Sequence, residues 1–316
     1  MKPAAAVLAP WPGRERGVAA VTALLIVAVA ASAAAFMLAQ QSAMLDQTML
    51  VASRAQAEVY GQAGLDWARG VLTQDALTSS TDTLEEGWAR PIAGMPVERA
   101  VVPGDIADEQ GKFNLNNVID RERRSEPDIK LLRQLLALLD LSPDLADAVV
   151  DWIDRDDDLT SASGAESAYY LGLPRPYRAA NAPMMQVDEL YRVRGFDARA
   201  VARLRPYVSA VPVRTAINVN TAAEVVVAAA FGVSRERAAL LLAERRKSPF
   251  VDKASFVDRA GRAGLIPVND FDVKSAWFFV RIQVAQDDVL LATEALVRRE
   301  AAPRGTTAII WRRPRY

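Results

Sequence analysis

Charge is absent from Val18 to Leu45, and the stretch from Val18 to Ala39 is almost wholly apolar. An apolar run of about 20 residues is what a bilayer-spanning helix requires. Lys2, Arg14 and Arg16 precede it, so the positive-inside rule leaves the N-terminus in the cytoplasm and carries the bulk of the chain across the membrane. A cleaved secretory signal would have a shorter apolar core, and no small-x-small cleavage site stands out clearly at the end of this run. The helical period also continues past the run. Leu45, Met49, Ala52, Gln56, Val59, Ala63, Trp67 and Val71 recur at spacings of three and four, and no proline occurs between Pro12 and Pro91. The pattern predicts one helix from Val18 to about Leu72, its first half in lipid and its second half packed on a soluble domain through that stripe. Gly61, Gly64 and Gly70 lower its propensity, and "TSSTD" from Thr78 ends it.

Further along, the period shortens to two. "MPVERAVVPGD" before the middle of the chain, and "SAWFFVRIQVAQDDVLLATEALVRRE" and "TTAIIWRRP" after it, are rich in Val, Ile, Phe and Thr, with a hairpin turn at Gln286, Asp287 and Asp288. Between these strands the chain repeats itself. "FNLNN" (113–117) parallels "INVNT" (217–221), and "LSPDLADAVVDWID" (141–154) parallels "VSRERAALLLAERR" (233–246). Each unit opens on an extended Asn-x-Asn, continues as an apolar helix, turns at a serine and closes on a second helix. Two such units predict a compact helical domain over about residues 119–274, with Asn269 to Asp272 leading back to the sheet. The fold class is α+β, a sheet assembled from both sides of an all-α insertion.

Composition narrows the chemistry. The 316 residues carry a net charge of −1 and include no cysteine and no histidine. Disulfides, thiolate nucleophiles, zinc sites of the usual kind and His-based triads are thereby excluded, and catalysis would rest on carboxylates, Lys, Ser or Tyr. The two repeated units resemble helix-hairpin-helix modules, which bind DNA phosphates through backbone amides. The first hairpin, "LDLSPD", has no glycine, and Asp147, Asp151 and Asp154 follow it, which repels a duplex. Arg235, Arg237, Arg245, Arg246 and Lys247 on the second unit would attract one, although such a basic run is ordinarily a solvated helix face.

The densest chemical signal is "DWIDRDDD" (151–158), with five carboxylates in eight residues. Asp154, Asp156 and Asp158 stand at the D-x-D-x-D spacing of a calcium loop, yet Leu159 replaces the EF-hand glycine, and Ala165 the bidentate glutamate, with Glu166 one place late. Clustered at a helix C-terminus, these carboxylates repel one another and oppose the macrodipole. Calcium would relieve that by taking 6 to 8 oxygens, with Glu166, the Asn181 side chain and backbone carbonyls in reach. The alternatives are a solvated acidic turn, or an acid/base pair in a sugar site lined by Trp152, Tyr169, Tyr170 and Tyr177.

Arg16-Gly17-Val18, a short basic leader before an apolar helix, resembles a type IV prepilin cleavage site. The resemblance implies that a prepilin peptidase cuts after Gly17 and methylates Val18. Thr22 stands at mature position five, where most such proteins carry glutamate, and this departure points to the K-type minor pseudopilin of type II secretion systems (general secretion pathway protein K). "DEQGKFNLNNV" (108–118), "DWIDRDDD", "GAESAYYLGLPRPYRAANAPM" (164–184) and "ELYRVRGFD" (189–197) resemble that family's signature segments in order. The family implies a leader (1–17), a transmembrane helix (18–39), a pilin-like α+β core (40–118 and 275–316) in which the long helix packs on a small antiparallel sheet, and a helical insertion (119–274). It further implies calcium in the insertion, with ligands drawn from Asp151, Asp154, Asp156, Asp157, Asp158, Glu166 and Asn181. The chain is then no enzyme and takes neither a small-molecule substrate nor nucleic acid. It sits in the bacterial inner membrane with its globular part in the periplasm. Its partners are the I- and J-type minor pseudopilins, at the tip of a pseudopilus that exports folded proteins across the outer membrane. A membrane-anchored DNA-uptake protein of pilin type is the alternative.

Overall fold

The computed structural model describes residues 15–97, 100–260 and 270–315; the leader ahead of Glu15, including Lys2 and Arg14, lies outside the described residues, as does Asn269. Helix α1 (Glu15–Thr78) is 64 residues long, roughly 95 Å at 1.5 Å per residue. Strands β1 (Ile92–Val97) and β2 (Ala100–Asp108) follow. Residues 109–276 then form the insertion. Its first part holds β3 (Phe113–Asn114), β4 (Ile119–Asp120), β5 (Arg123–Arg124), α2 (Glu126–Leu138), α3 (Leu145–Ile153), α4 (Ser167–Leu171), α5 (Ala198–Leu204) and β6 (Val208–Ser209). Its second part holds β7 (Ile217–Asn218), α6 (Glu224–Phe231), α7 (Arg235–Lys247), α8 (Lys253–Ala260) and β8 (Phe271–Asp272). The chain closes with β9 (Trp277–Gln286), β10 (Val289–Arg299) and β11 (Thr307–Arg315).

The five long strands form one antiparallel sheet in the order β1-β2-β9-β10-β11. Alternate residues of β9, Phe278, Val280, Ile282 and Val284, are buried and share a core with Ala57, Leu65, Ala68 and Leu72 of α1. This is a different face from the one the apolar stripe predicts. Val59 and Trp67 remain 64% and 42% exposed, and Leu45 and Met49 are exposed too. The reason is close approach. A Cβ on Gly64 would stand 2.8 Å from the Ile282 side chain, and one on Gly61 3.5 Å from Leu291, so the sheet packs where the helix is thinnest, and these two of the three glycines are its contact points.

Strands β2 and β9 are direct neighbours, with Ala107 opposite Phe279 and Asp108 opposite Phe278. The whole insertion is therefore the connection of one antiparallel pair. At the other end of the sheet, the Asp287–Asp288 turn meets α1 early, where Ser53 Oγ donates to Asp287 Oδ2 at 3.1 Å. The insertion meets the segment just past the C-terminus of α1, where Asp82 N donates to the Val273 carbonyl at 2.8 Å. It thus rises from the end of the sheet farthest from the apolar half of α1.

Inside the insertion the repeated Asn-x-Asn explains itself. Asn116 bonds both the carbonyl and the N–H of Met184, and Asn220 bonds both those of Phe250. Each buried amide clamps a distant backbone segment as a strand would. The hairpins also correspond: the left-handed residue after the first helix is Asp140 (φ 51°) in one and Gly232 (φ 61°) in the other.

The joint between core and insertion is polar and buried. Asp108 Oδ2 accepts from Asn218 Nδ2 (3.2 Å), Thr221 Oγ1 (2.6 Å) and Ser275 Oγ (2.6 Å). Burial nevertheless pushes its carboxyl up to about 6, with the Ser275 and Thr221 hydrogen bonds holding it down. Beside it Arg299, 2% exposed, donates to both Asp82 oxygens at 2.6 and 2.5 Å, to the Ser275 carbonyl at 2.7 Å and to Asp75 at 2.6 Å. Breaking one side of a buried pair costs about 3 to 5 kcal/mol because the other charge is stranded. Arg299→Met should lower the stability of the detergent-solubilised chain by that amount in urea titration, and Asp82→Asn in the same background should restore part of it. An unshifted midpoint would show that the pair does not hold the joint.

Candidate metal centre

Helix α3 ends at Ile153 because Asp154 turns into extended backbone (φ −67°, ψ 167°). That turn brings Asp154 beside Asp151, in the last turn of the helix, and the following loop returns Glu166. The three buried carboxylates each offer an oxygen within 4.8 Å of the others. The pattern of their partners is consistent. Asp151 Oδ1 accepts from Thr160 N at 2.9 Å and from the Thr160 hydroxyl, while Oδ2 has no partner. Asp154 Oδ2 accepts from Arg124 Nε at 3.2 Å and Nη2 at 3.1 Å, while Oδ1 has none. Asn181 N donates to the Trp152 carbonyl at 3.0 Å and Nδ2 to the Asp156 carbonyl at 3.3 Å, leaving Oδ1 without a partner. Both Glu166 oxygens are buried and unbonded.

Five buried oxygens without hydrogen bonds are costly unless something positive meets them. Burial pushes Glu166 up to about 8, and the charges of Asp151 and Asp154 add to it. Asp154 rises to about 6, again through burial, with the Arg124 hydrogen bond opposing. The neighbourhood also leaves room around an inward oxygen. A Cβ on Gly164 would lie 2.0 Å from Asp151 Oδ2, so glycine here is a matter of space. Oxygen-only donors with no nitrogen or sulfur select a hard cation such as calcium. The residues fit that group.

The D-x-D-x-D spacing is not what assembles them. Asp156, Asp157 and Asp158 are exposed, and Asp156 Oδ1 accepts from Asp158 N at 2.9 Å, an Asx turn that points the loop outward. Of the seven candidate ligands, Asp151, Asp154 and Glu166 are brought together; Asn181 is tied to the same loop, and the three outer aspartates are not gathered with them. Sequence reasoning missed Arg124, Thr160 and Gly164. Trp152, Tyr170 and Tyr177 form a ring cluster, with Tyr170 fully buried and stacked on Tyr177 at 5.2 Å, so they pack beneath the loop. A second group, Asp75, Asp82 and Glu86, already has the Arg299 guanidinium among it.

The other singled-out residues lie elsewhere. Gly17 and Val18 are exposed in the first turns of α1, and Thr22 Oγ1 donates to the Val18 and Ala19 carbonyls at 3.1 and 3.0 Å, as a hydroxyl in an apolar helix does. On α7, Arg245 donates to the Val219 and Ala222 carbonyls at 2.9 and 2.8 Å, while Arg235 and Lys247 pair with Glu224 and Glu244. Those cations are engaged within the chain.

Two family models, both of protein K of the type II secretion system, match residues 111–213 and 217–274 within the insertion, and the first spans the carboxylate cluster. Among curated relatives, the type II secretion system protein K of Aeromonas hydrophila is 33% identical over 310 residues, 90% of this chain and 93% of the relative. That of Pectobacterium carotovorum is 33% identical over 87% of this chain and 90% of the relative. That of Pseudomonas aeruginosa is 32% identical over 88% of each. The crystal structure of the GspK-GspI-GspJ complex from enterotoxigenic Escherichia coli contains a chain that shares this fold, with a TM-score of 0.75 at 23% identity, over 85% of this chain and 99% of that one. With family segments across half of its length and relatives a third identical along nearly all of it, the chain belongs to the type II secretion system protein K family.

Proposed function

We propose that this chain caps the tip of the pseudopilus, with its insertion stabilised by calcium, and helps to start the filament that exports folded proteins across the outer membrane. As a member of the protein K family it is a minor pseudopilin. The observation that carries the capping role is the position of the insertion. It stands on the end of the sheet away from the apolar half of α1, where a further subunit would have to stack. Thr22 agrees with this. Its hydroxyl is spent on its own helix and offers no charge to the buried amine of a subunit ahead.

The face of α1 that the sheet leaves free suits a helix bundle. Leu45, Met49, Val59 and Trp67 continue the lipid-facing run outward, and such a stripe needs apolar neighbours. The similar chain of known structure is in complex with GspI and GspJ, which supports the I- and J-type pseudopilins as those neighbours. The apolar run of α1 is long enough to cross a bilayer. With a basic leader ahead of it, this supports a single inner-membrane span, a periplasmic globular part and processing by a prepilin peptidase between Gly17 and Val18.

Asp151, Asp154, Glu166 and Asn181 would hold the calcium ion, which supplies the positive charge that their unbonded oxygens lack. An ion bound only by the folded state stabilises it by about 2.7 kcal/mol at a hundred times its Kd. Calcium should therefore raise the melting temperature, and Asp154→Ala or Gly164→Ala should abolish the rise. Equal melting temperatures with calcium and with chelator would return the cluster to an acidic turn. For the capping role, the chain has no cysteine, so a single label at Arg175→Cys, on the exposed insertion, should be seen once, at a filament end. Labels distributed along the shaft would refute it. Gly17→Phe should leave the leader attached in mass spectra of the membrane fraction, and a mature N-terminus beyond the apolar run would dismiss the pilin-type processing.

A further inference from the structure

Among the described residues, one cation touches the carboxylate cluster from outside. Arg124 Nη2 lies 3.1 Å from Asp154 Oδ2, 3.9 Å from Asp151 Oδ1 and 3.8 Å from Asp156 Oδ1, and it donates to the Asp158 carbonyl at 2.7 Å. Other arginines nearby do not reach these carboxylates in the same way. Arg133 pairs with Asp147, Arg155 with Glu122, and Arg194 donates to the carbonyls of Ala162 and Gly164 at 3.4 and 2.7 Å.

The backbone that delivers Arg124 is unusual. β4 and β5 are joined by the two-residue turn Arg121 (φ 48°) and Glu122 (φ 66°), with Ile119 opposite Arg124. Positive φ at both central positions is the mirror-image turn normally filled by Asn-Gly, and two bulky residues there are strained. The turn is fastened to the acidic loop at both of its charged ends, Glu122 to Arg155 and Arg124 to Asp154. Strain is retained where surrounding contacts over-determine it, and here those contacts set a guanidinium against the cluster.

The guanidinium grips the outer oxygen of Asp154 and leaves the inner one open. It therefore does not fill the place of an ion. Three buried carboxylates and one divalent ion sum to a single negative charge, and one arginine brings that sum to zero. Without the ion, the same arginine is the positive charge that still holds the loop.

We propose that Arg124 is a fixed counter-cation of this centre: it keeps the acidic loop in place when calcium is absent, and it sets the calcium affinity by opposing the charge of the ion. This rests on the calcium reading of the centre. A point charge a few ångströms from the ligands weakens divalent binding through Coulomb repulsion, which salt screens. A residue that merely orients a ligand acts with the opposite sign, because losing it costs about 10- to 100-fold in metal affinity. The sign of the effect thus separates the two roles.

The test is a calcium titration of the full-length chain in detergent against a chromophoric chelator, for wild type, Arg124→Gln and Arg124→Lys. Glutamine can still donate a hydrogen bond to Asp154 or Asp158 but carries no charge. Arg124→Gln should bind calcium about tenfold more tightly at low salt, the gain should shrink as salt is added, and the calcium-free melting temperature should fall. Arg124→Lys keeps the charge and should bind within about twofold of wild type. If the glutamine variant folds only with calcium, the lysine variant decides: wild-type affinity sustains the proposal, and a marked change in affinity in either direction overturns it. Equal or weaker binding by Arg124→Gln overturns it while leaving the calcium centre intact. A wild-type chain that takes up no calcium removes the calcium reading, and this inference with it.

Discussion

A buried guanidinium organises this molecule. Arg299 stands at the end of β10 and draws together Asp82 from the segment after α1, Asp75 from α1 itself, and the Ser275 carbonyl where the insertion returns to the sheet. Asp75 and Asp82 lie more than 200 residues before Arg299 in the chain, and Ser275 lies 24 before it. A charge withdrawn from water is tolerable only with its partners in place, so the long helix, the sheet and the insertion must all be assembled before any of them is comfortable. Asp108 and Asn218 extend the same network to the strand by which the insertion leaves. The polar joint makes a large connection between two adjacent strands into a fixed mount and not a tether.

Two acidic clusters in one chain show what decides whether carboxylates form a structural pair or a site for an ion. At Asp75 and Asp82 the arginine is inside the group, bonds the carboxylates directly and is itself 2% exposed. At Asp151, Asp154 and Glu166 the arginine stays at the rim with its side chain 31% exposed, and the inward oxygens keep no partner. Each group has three carboxylates, Glu86 completing the first. What differs is whether the fold already supplies a partner: among the described residues, the second cluster keeps buried carboxylate oxygens with no hydrogen bond and the first does not.

Much of this was legible in the sequence, and the illegible part has a common cause. The long helix, the alternation of the strands and the Asn-x-Asn repeat are periodic, and periodicity is local. Which face of α1 meets the sheet was not legible, because apolar residues lie on both sides and the choice was made by the close approach of Gly64 to Ile282. The carboxylates were recognisable as residue types, and Asp154 and Glu166 indeed lie together. The spacing misled for Asp156 and Asp158, since side-chain direction in a loop follows backbone dihedrals, and an Asx turn sent Asp156 outward. Arg124, Thr160 and Gly164 act through geometry alone: a hairpin some thirty residues upstream, a backbone amide, and the absence of a Cβ. No motif announces such contributions.

The candidate metal centre and the mount are also connected, by short steps of backbone. Asn181 is tied to the end of α3 through the Trp152 carbonyl, and three residues later Met184 is held on both its backbone groups by Asn116. Asn116 belongs to the segment that opens the insertion, together with Asn114, which bonds the Val211 and Val213 carbonyls. Gln110, a few residues earlier, donates to the Ala216 carbonyl and accepts from Ala276 N at the return strand. Each link is a buried amide whose loss would leave backbone groups unpaired. An ion held by the Asp151–Asn181 loop would therefore also steady the strand on which the insertion stands. The apolar core of the insertion offers no charge against the repulsion within that acidic loop, so a cation held there would add the order that packing alone cannot supply.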